Sequence, residues 1–326
     1  MPISPMTWDD LEKVVADSVY AHFASLDQTE TENDQTEREK FCRDVKRAHS
    51  QLLKTYDLPR IGEAYALWHH MMRANEICVA LDIAKMFGPL KYHVGEFRVA
   101  DIGSGTGAGV MAIVHWFVKT YPNRQVNLRI DRVEPSRQMR DTASYILKAY
   151  RQKLEDSFAE NVRPVISAPH DPATISLSQY ASTVNNKLDL CLFCHTFSTA
   201  DYANRDRISD EIMLIANEQL NSSGTLTFLL PDVSPDHDFY AKVMLMDFIA
   251  ERLLKAGMKT VKHEKDDLRP LKNSWAKSQK QNLVMETRRV INRNCLDSSI
   301  ITPFNDSNEM DRPYYSLSSR IDIFYW

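Results

Sequence analysis

The stretch VADIGSGTGAG, residues 99–109, constrains the chain more than any other. An apolar run, FRVADI (97–102), leads into a bend where Gly103, Gly105, Gly107 and Gly109 alternate with other small residues. The apolar run VMAIVHWFV follows. Four of the nine glycines in a chain of 326 residues fall within these seven positions, a concentration that chance placement does not explain. Glycine is needed where the backbone turns tightly and a ligand must approach it with no side chain between. A helix starting after the bend offers unpaired N–H groups and a partial positive charge to whatever lies there. The pattern reads as strand, ligand-binding turn, helix.

The chain after residue 95 repeats that alternation, which predicts parallel strands joined by helices. The expected strands are 97–102, VNLRIDRVE (126–134), RPVISA (163–168), LDLCLF (188–193) and TLTFLLP (225–231). Helices are expected near 107–120, 136–157, 205–220 and 237–256. NLVMETRRVI (282–291) and SSRIDIFYW (318–326) read as two more strands that close the sheet as a hairpin-like pair. The fold class is α/β, a Rossmann-like seven-stranded, mostly parallel sheet with an antiparallel final strand. Before it, helices are expected over 7–26, 37–56 and 64–87, separated by an acidic loop at 27–39. Thr7 with Asp10 has the spacing of a capping box, and Leu11, Val14, Val15, Val19 and Phe23 recur at helical intervals. The division expected is a helical lid or cap region over 1–94 and a sheet domain over 95–326.

Composition narrows the function classes. A formal charge of −4 argues against a whole-surface attraction to nucleic acid. A local basic face remains open, because Lys and Arg outnumber acids twelve to five across 251–293. No run of about 18 apolar residues occurs, so no membrane span is expected. The acidic start MPISPMTWDDLEK carries no secretory pattern, and five scattered cysteines suit a reducing compartment, so the expected location is cytoplasmic. CLFCH, residues 191–195, spells the CxxCH of c-type haem attachment. Residues three apart on a strand point to opposite faces, so Cys191 and Cys194 would not grip one haem or one metal. No second CxxC completes a zinc site either, and neither haem nor zinc is expected.

A bare G-x-G-x-G serves dinucleotides and S-adenosylmethionine alike. The glycines here fall two apart, unlike the G-x-G-x-x-G of dinucleotide sites. Asp101 just before the turn suits a ligand with a positive amino-acid end and no phosphate. On DIGSGTG the chain resembles the class I S-adenosylmethionine-dependent methyltransferases. That resemblance implies S-adenosyl-L-methionine as cofactor, held around Asp101, Gly103, Ser104, Gly105 and Gly107. It implies ribose contact by Glu134 at the end of the second strand, with Pro135, Ser136 and Met139 beside the adenine. A strand-end acid facing water is the other reading of Glu134. Asp171 stands where the family often has an acid near the adenine amine, and it also reads as an ordinary Asp-Pro turn. Phe193 and Cys194 fall at the cofactor edge of the fourth strand. His195 follows, where it is either a catalytic proton acceptor or a residue that only hydrogen-bonds the cofactor or caps the loop.

The DPPY/NPPY-type tetrapeptide of amino-methylating members is missing after the fourth strand, and Phe193 replaces the proline of cytosine-C5 members. An oxygen, another nitrogen or a sulfur acceptor is therefore expected. Residues 60–260 are distantly similar to methyltransferase-like proteins of the small ribosomal subunit. The cysteine cluster of those proteins would fall at 258–275, and this chain has no cysteine between 194 and 295. The expected partner is a small-molecule substrate, with RNA or the ribosome as the second reading and a non-catalytic assembly factor as the third. Trp68, His69, His70, Met71 and Met72 read either as part of a lid over the acceptor or as the packed face of a helix.

Overall fold

A computed structural model describes residues 6–27, 61–87, 96–122, 124–160, 162–167, 176–183, 187–197, 199–231, 237–264 and 318–326. In chain order these form α1 (Trp8–Asp27), then α2, which begins as Ile61–Tyr65, passes a π-helical turn at Ala66–His70 and continues as Met71–Phe87. Then come β1 (Glu96–Ile102), α3 (Ala108–Thr120), β2 (Asn127–Val133), α4 (Arg137–Ser157) and β3 (Val165–Ser167). These are followed by α5 (Leu177–Thr183), β4 (Leu188–Cys194), α6 (Thr199–Ala203) and α7 (Arg205–Leu214), which ends in a π-helical turn at Ile215–Gln219. The last elements are β5 (Leu220–Pro231), α8 (His237–Lys255), β6 (Lys259–Glu264) and β7 (Ser318–Tyr325).

The seven described strands form one sheet in the order β3-β2-β1-β4-β5-β7-β6. The pairs β1·β2, β1·β4, β2·β3 and β4·β5 are parallel, while β7 runs antiparallel to both β5 and β6. Five strands are thus parallel, in the order β3-β2-β1-β4-β5, and β7 is inserted antiparallel between β5 and β6. Asp101 sits opposite Arg132 on one side and Leu192 on the other, so β1, β2 and β4 end at one level. Whatever follows those three strands shares one edge of the sheet.

Alternation along each strand feeds two cores. Phe97, Val99, Leu190 and Leu192 face one side with α1, α2, α3 and α4, whereas Ala100, Ile102, Cys191 and Phe193 face the other with α5, α7 and α8. Residues 108–117 of α3 are buried throughout, as expected of a helix apolar all round and enclosed between layers. Each large apolar side chain so enclosed contributes about 1.5–3 kcal/mol. The first core joins Leu11, Ile61 and Ile77 of the N-terminal helices to Val99 and Ile130 of the sheet without interruption.

The capping box at α1 forms: Thr7 Oγ1 accepts from Asp10 N at 3.2 Å, and Asp10 Oδ2 accepts from Thr7 N at 2.9 Å. Two expectations need correction. Among the described residues the third strand covers Val165–Ser167, starting two residues later than expected, with Val165 exposed at the sheet edge. The sixth strand is Lys259–Glu264, a polar stretch read above only as part of a basic run. A charged outer strand is a common protection for a sheet edge, which is why its alternation is faint. The expected helix at 37–56 and strand at 282–291 lie outside the described residues.

Candidate functional site

The turn after β1 is fastened to the end of β2. Gly103 N and Ser104 N both donate to Val133 O, at 2.7 and 3.2 Å. Gly105 N donates to Glu134 Oε2 at 2.8 Å, and Ser136 N donates to Glu134 Oε1 at 2.8 Å. Glu134 is thus locked by two backbone groups, one from the turn after β1 and one from its own loop, and it lines a cleft. Gly103 and Gly105 have φ of +70° and +52°, the left-handed region that side-chain-bearing residues avoid. A Cβ on Gly103 would come within 2.8 Å of Thr196 Cγ2, so this glycine also permits close packing of the two turns. Above Gly105 the nearest atoms to such a Cβ lie 3.9–4.0 Å away, leaving an open backbone floor.

Asp101 takes an unforeseen position. It is 1% exposed, faces the first turn of α3 and would lie 2.1 Å from a Cβ on Gly109, so it sits behind the turn and not among the residues lining the cleft. Its Oδ2 makes no hydrogen bond within the described residues, nor does the buried Oγ of Ser104. Burial pushes the Asp101 carboxyl up to about 7, with Arg132 opposing and Glu134 adding to the rise.

The third turn at this edge follows β4. His195 has φ of +56°, alone among the non-glycine residues described. Its Nε2 lies 2.8 Å from Glu76 Oε2 and 2.9 Å from Arg73 Nη1, and Arg73 Nη1 donates to Glu76 Oε2 at 3.1 Å. Burial first, and then the Arg73 charge, pulls the imidazole down to about 4, so it is neutral at neutral pH. Burial alone would raise the Glu76 carboxyl, yet its contacts with His195 and Arg73 hold it well below the usual carboxylate range. Burial and nearby Glu76 push the Cys194 thiol well up, so it is not a thiolate. Glu76, Cys194 and His195 bring their ligand-capable atoms within 4.8 Å of one another, with the Arg73 guanidinium supplying a positive charge beside two of them.

These turns enclose a cleft of about 340 Å³, within the usual size of small-ligand sites, about 300–1,000 Å³. Of the residues singled out in the sequence, Gly103, Gly105, Glu134, Pro135, Met139, Cys194 and His195 line it. Gly107 instead starts α3 and packs on Leu147, while Ser136 caps α4 by accepting from Met139 N at 3.4 Å. Phe193 lies in the second core, its ring 4.6 Å from that of Phe228. Asp171 lies outside the described residues. Cys191 and Cys194 face opposite cores, as strand alternation requires.

Sequence reasoning missed Tyr65, Thr196, Phe197, Asp201, Arg207 and Glu211, which also line the cleft. It also missed Arg73 and Glu76, which stand behind it. Position after β4 was a usable signal for Thr196 and Phe197, whereas nothing local marks the others. His69, His70 and Met71 are buried, and His70 Nδ1 lies 2.9 Å from Thr106 Oγ1 in the glycine turn. They belong to the packed face of α2. Among the described residues no helix is long and apolar enough to cross a membrane.

No protein-family model and no curated protein matches the sequence. Solved structures similar to it include the plantazolicin methyltransferase BpumL in complex with SAH, at 9% identity and a TM-score of 0.39 over 94% of this chain and 98% of that one. The same enzyme in complex with a pentazolic desmethylPZN analog and SAH gives 10% identity and a TM-score of 0.42 over 89% and 98%. The mitomycin 7-O-methyltransferase MmcR gives 15% and 0.35 over 67% and 56%. Likeness at this level carries nothing about substrate or reaction, and the fold rests on strand order and register.

Proposed function

We propose that the chain is an S-adenosylmethionine-dependent methyltransferase acting on a small-molecule oxygen, nitrogen or sulfur acceptor. The observation that carries this is the carboxylate of Glu134, held by Gly105 N and Ser136 N over an open, left-handed glycine floor. A carboxylate fixed at the end of β2 suits a vicinal diol, and the bare backbone of Gly103 and Gly105 suits a ligand lying flat against it. Pro135 and Met139 give that end of the cleft apolar walls for a planar base. Ser104, whose buried Oγ lacks a hydrogen bond within the described residues, lies in the turn where a cationic amino-acid end would sit, while Asp101 stands behind that turn and faces Gly109.

Bound there, the cofactor supplies a methyl group on a sulfonium, which is already activated. The protein then has to align the acceptor and exclude water, work that proximity alone can do. We assign His195 to the wall of this site as a neutral residue, because Nε2 faces Arg73 and Glu76 and Nδ1 is buried. A neutral wall does not repel a cationic cofactor.

The small-molecule reading is favoured over RNA by the charge of the lining. Among the described residues there, Glu134, Asp201 and Glu211 face Arg207, itself 2.7 Å from Glu211. Such a mouth is unfavourable for a polyanion. The test is transfer of labelled methyl from the cofactor into a cell extract, sorted into small molecules, RNA and protein. Label in the small-molecule fraction supports the reading; label in RNA alone overturns the acceptor class; and no label from a chain that binds cofactor overturns the activity.

A further inference from the structure

Two ionised side chains of α2, Arg73 and Glu76, are 8% and 1% exposed and meet at a single ring nitrogen of His195. A buried ion pair contributes little to stability by itself and is costly to break from one side. Its position here is more informative than its energy. His195 carries the left-handed backbone that turns the chain from β4 into the cleft wall. Its backbone N donates to Leu229 O at 3.0 Å, and the next residue, Thr196, donates from Oγ1 to Ile102 O at 2.6 Å. Thr196 also packs on Gly103. The His195 bend therefore seats Thr196 on the glycine floor, and it is a backbone conformation that a residue with a side chain holds only at a cost.

We propose that Arg73 and Glu76 are positioning residues: by clamping the imidazole they hold His195 in its left-handed turn and so fix the β4 wall against the glycine floor. On this reading α2 is a permanent wall of the site, tied in also by His70 to Thr106 and by Gly62, where a Cβ would meet Thr142 Oγ1 at 2.2 Å. The proposal rests on the cofactor reading for one of its two readouts. The charged groups acting on the ring are Arg73 and Glu76 from α2 and Lys242 from α8.

The test uses the full chain carrying R73M/E76M, which removes both charges together and leaves neither stranded. Holding a non-glycine residue left-handed costs about 1–3 kcal/mol, so unclamping should weaken S-adenosylhomocysteine binding by roughly ten- to a hundredfold. In R73M/E76M the backbone amide of His195, which donates to Leu229 O, should exchange with solvent at least tenfold faster than in the wild type, as the turn is released. Adding H195G to R73M/E76M should restore most of the affinity, because glycine enters the left-handed region unaided. A folded R73M/E76M that binds within twofold of wild type overturns the clamp, and so does a loss that H195G does not recover. If R73M/E76M fails to fold, E76Q, which keeps the shape of the side chain and removes the charge that meets both Arg73 and His195, is judged by the same criteria. A wild type that binds no S-adenosylhomocysteine refutes the cofactor reading, and the clamp then stands or falls on the exchange of the His195 amide alone.

Discussion

Replacing Asp101 by asparagine tests whether the buried carboxyl behind the glycine turn burdens the ligand-free fold. Asp101 is 1% exposed, and its pKa rises from 3.8 to about 7, chiefly through burial. A carboxyl with a raised folded pKa gives stability that is complete below the unfolded pKa and is lost as pH climbs through the folded one. The shift is about three units, so at 1.36 kcal/mol each the loss approaches about 4 kcal/mol by pH 8 and about 1.5 kcal/mol by pH 5. The amide introduced by D101N keeps the shape of the side chain and does not ionise. D101N should therefore be more stable than wild type at pH 8, and its advantage should grow by about 2–3 kcal/mol between pH 5 and pH 8. Paired urea or thermal melts at the two values measure this, and other titrating groups cancel in the comparison. At about 2–4 °C per kcal/mol, the melting temperatures should diverge by roughly 4–12 °C over that interval. Parallel pH profiles, or a D101N deficit that deepens toward pH 8, would refute the reasoning.

Three further outcomes follow from the same geometry. E134Q keeps one acceptor oxygen and turns an amide toward a backbone N–H, so S-adenosylhomocysteine affinity by titration calorimetry should fall about tenfold to a hundredfold, the worth of a charged hydrogen bond of about 1.5–3 kcal/mol. G105V puts a β-branched side chain at φ of +52° on the cleft floor; it should lower stability by about 1–3 kcal/mol in denaturant melts and abolish binding. His70, fully buried, is pulled down to about 3 by that burial. Because the unfolded chain takes up this proton near pH 6.5 and the folded chain does not, stability should fall as pH drops from about 6.5 toward 3, by up to about 1.4 kcal/mol per unit. H70Q should flatten that acid limb.

The sequence disclosed the part of this molecule that depends on local backbone rules. The glycine cluster, the apolar run before it and the acid at position 134 are each short-range signals, and they lie at the end of β1, in the turn and just past β2 as read. The β4 edge was legible for a similar reason, since LDLCLF alternates between two cores. What escaped was set by tertiary contact. Arg73 and Glu76 look like solvated charges of an ordinary helix, and only the approach of α2 to the turn after β4 buries them beside His195. The left-handed backbone of His195 and the π-helical turns at Ala66–His70 and Ile215–Gln219 have no marker in residue type. The strand Lys259–Glu264 escaped because it lies at the sheet edge, beside β7 alone, where charged residues are tolerated. Asp101 was found by its place before the glycines, but its orientation toward Gly109 depends on how closely α3 approaches β1.

The most direct measurement is calorimetric titration of the folded full chain with S-adenosylhomocysteine at pH 7.5, beside E134Q. A one-to-one isotherm in the micromolar range, about −8 kcal/mol, that weakens at least tenfold in E134Q is the predicted result. Absence of binding at millimolar ligand, or equal affinity in E134Q, would contradict the account.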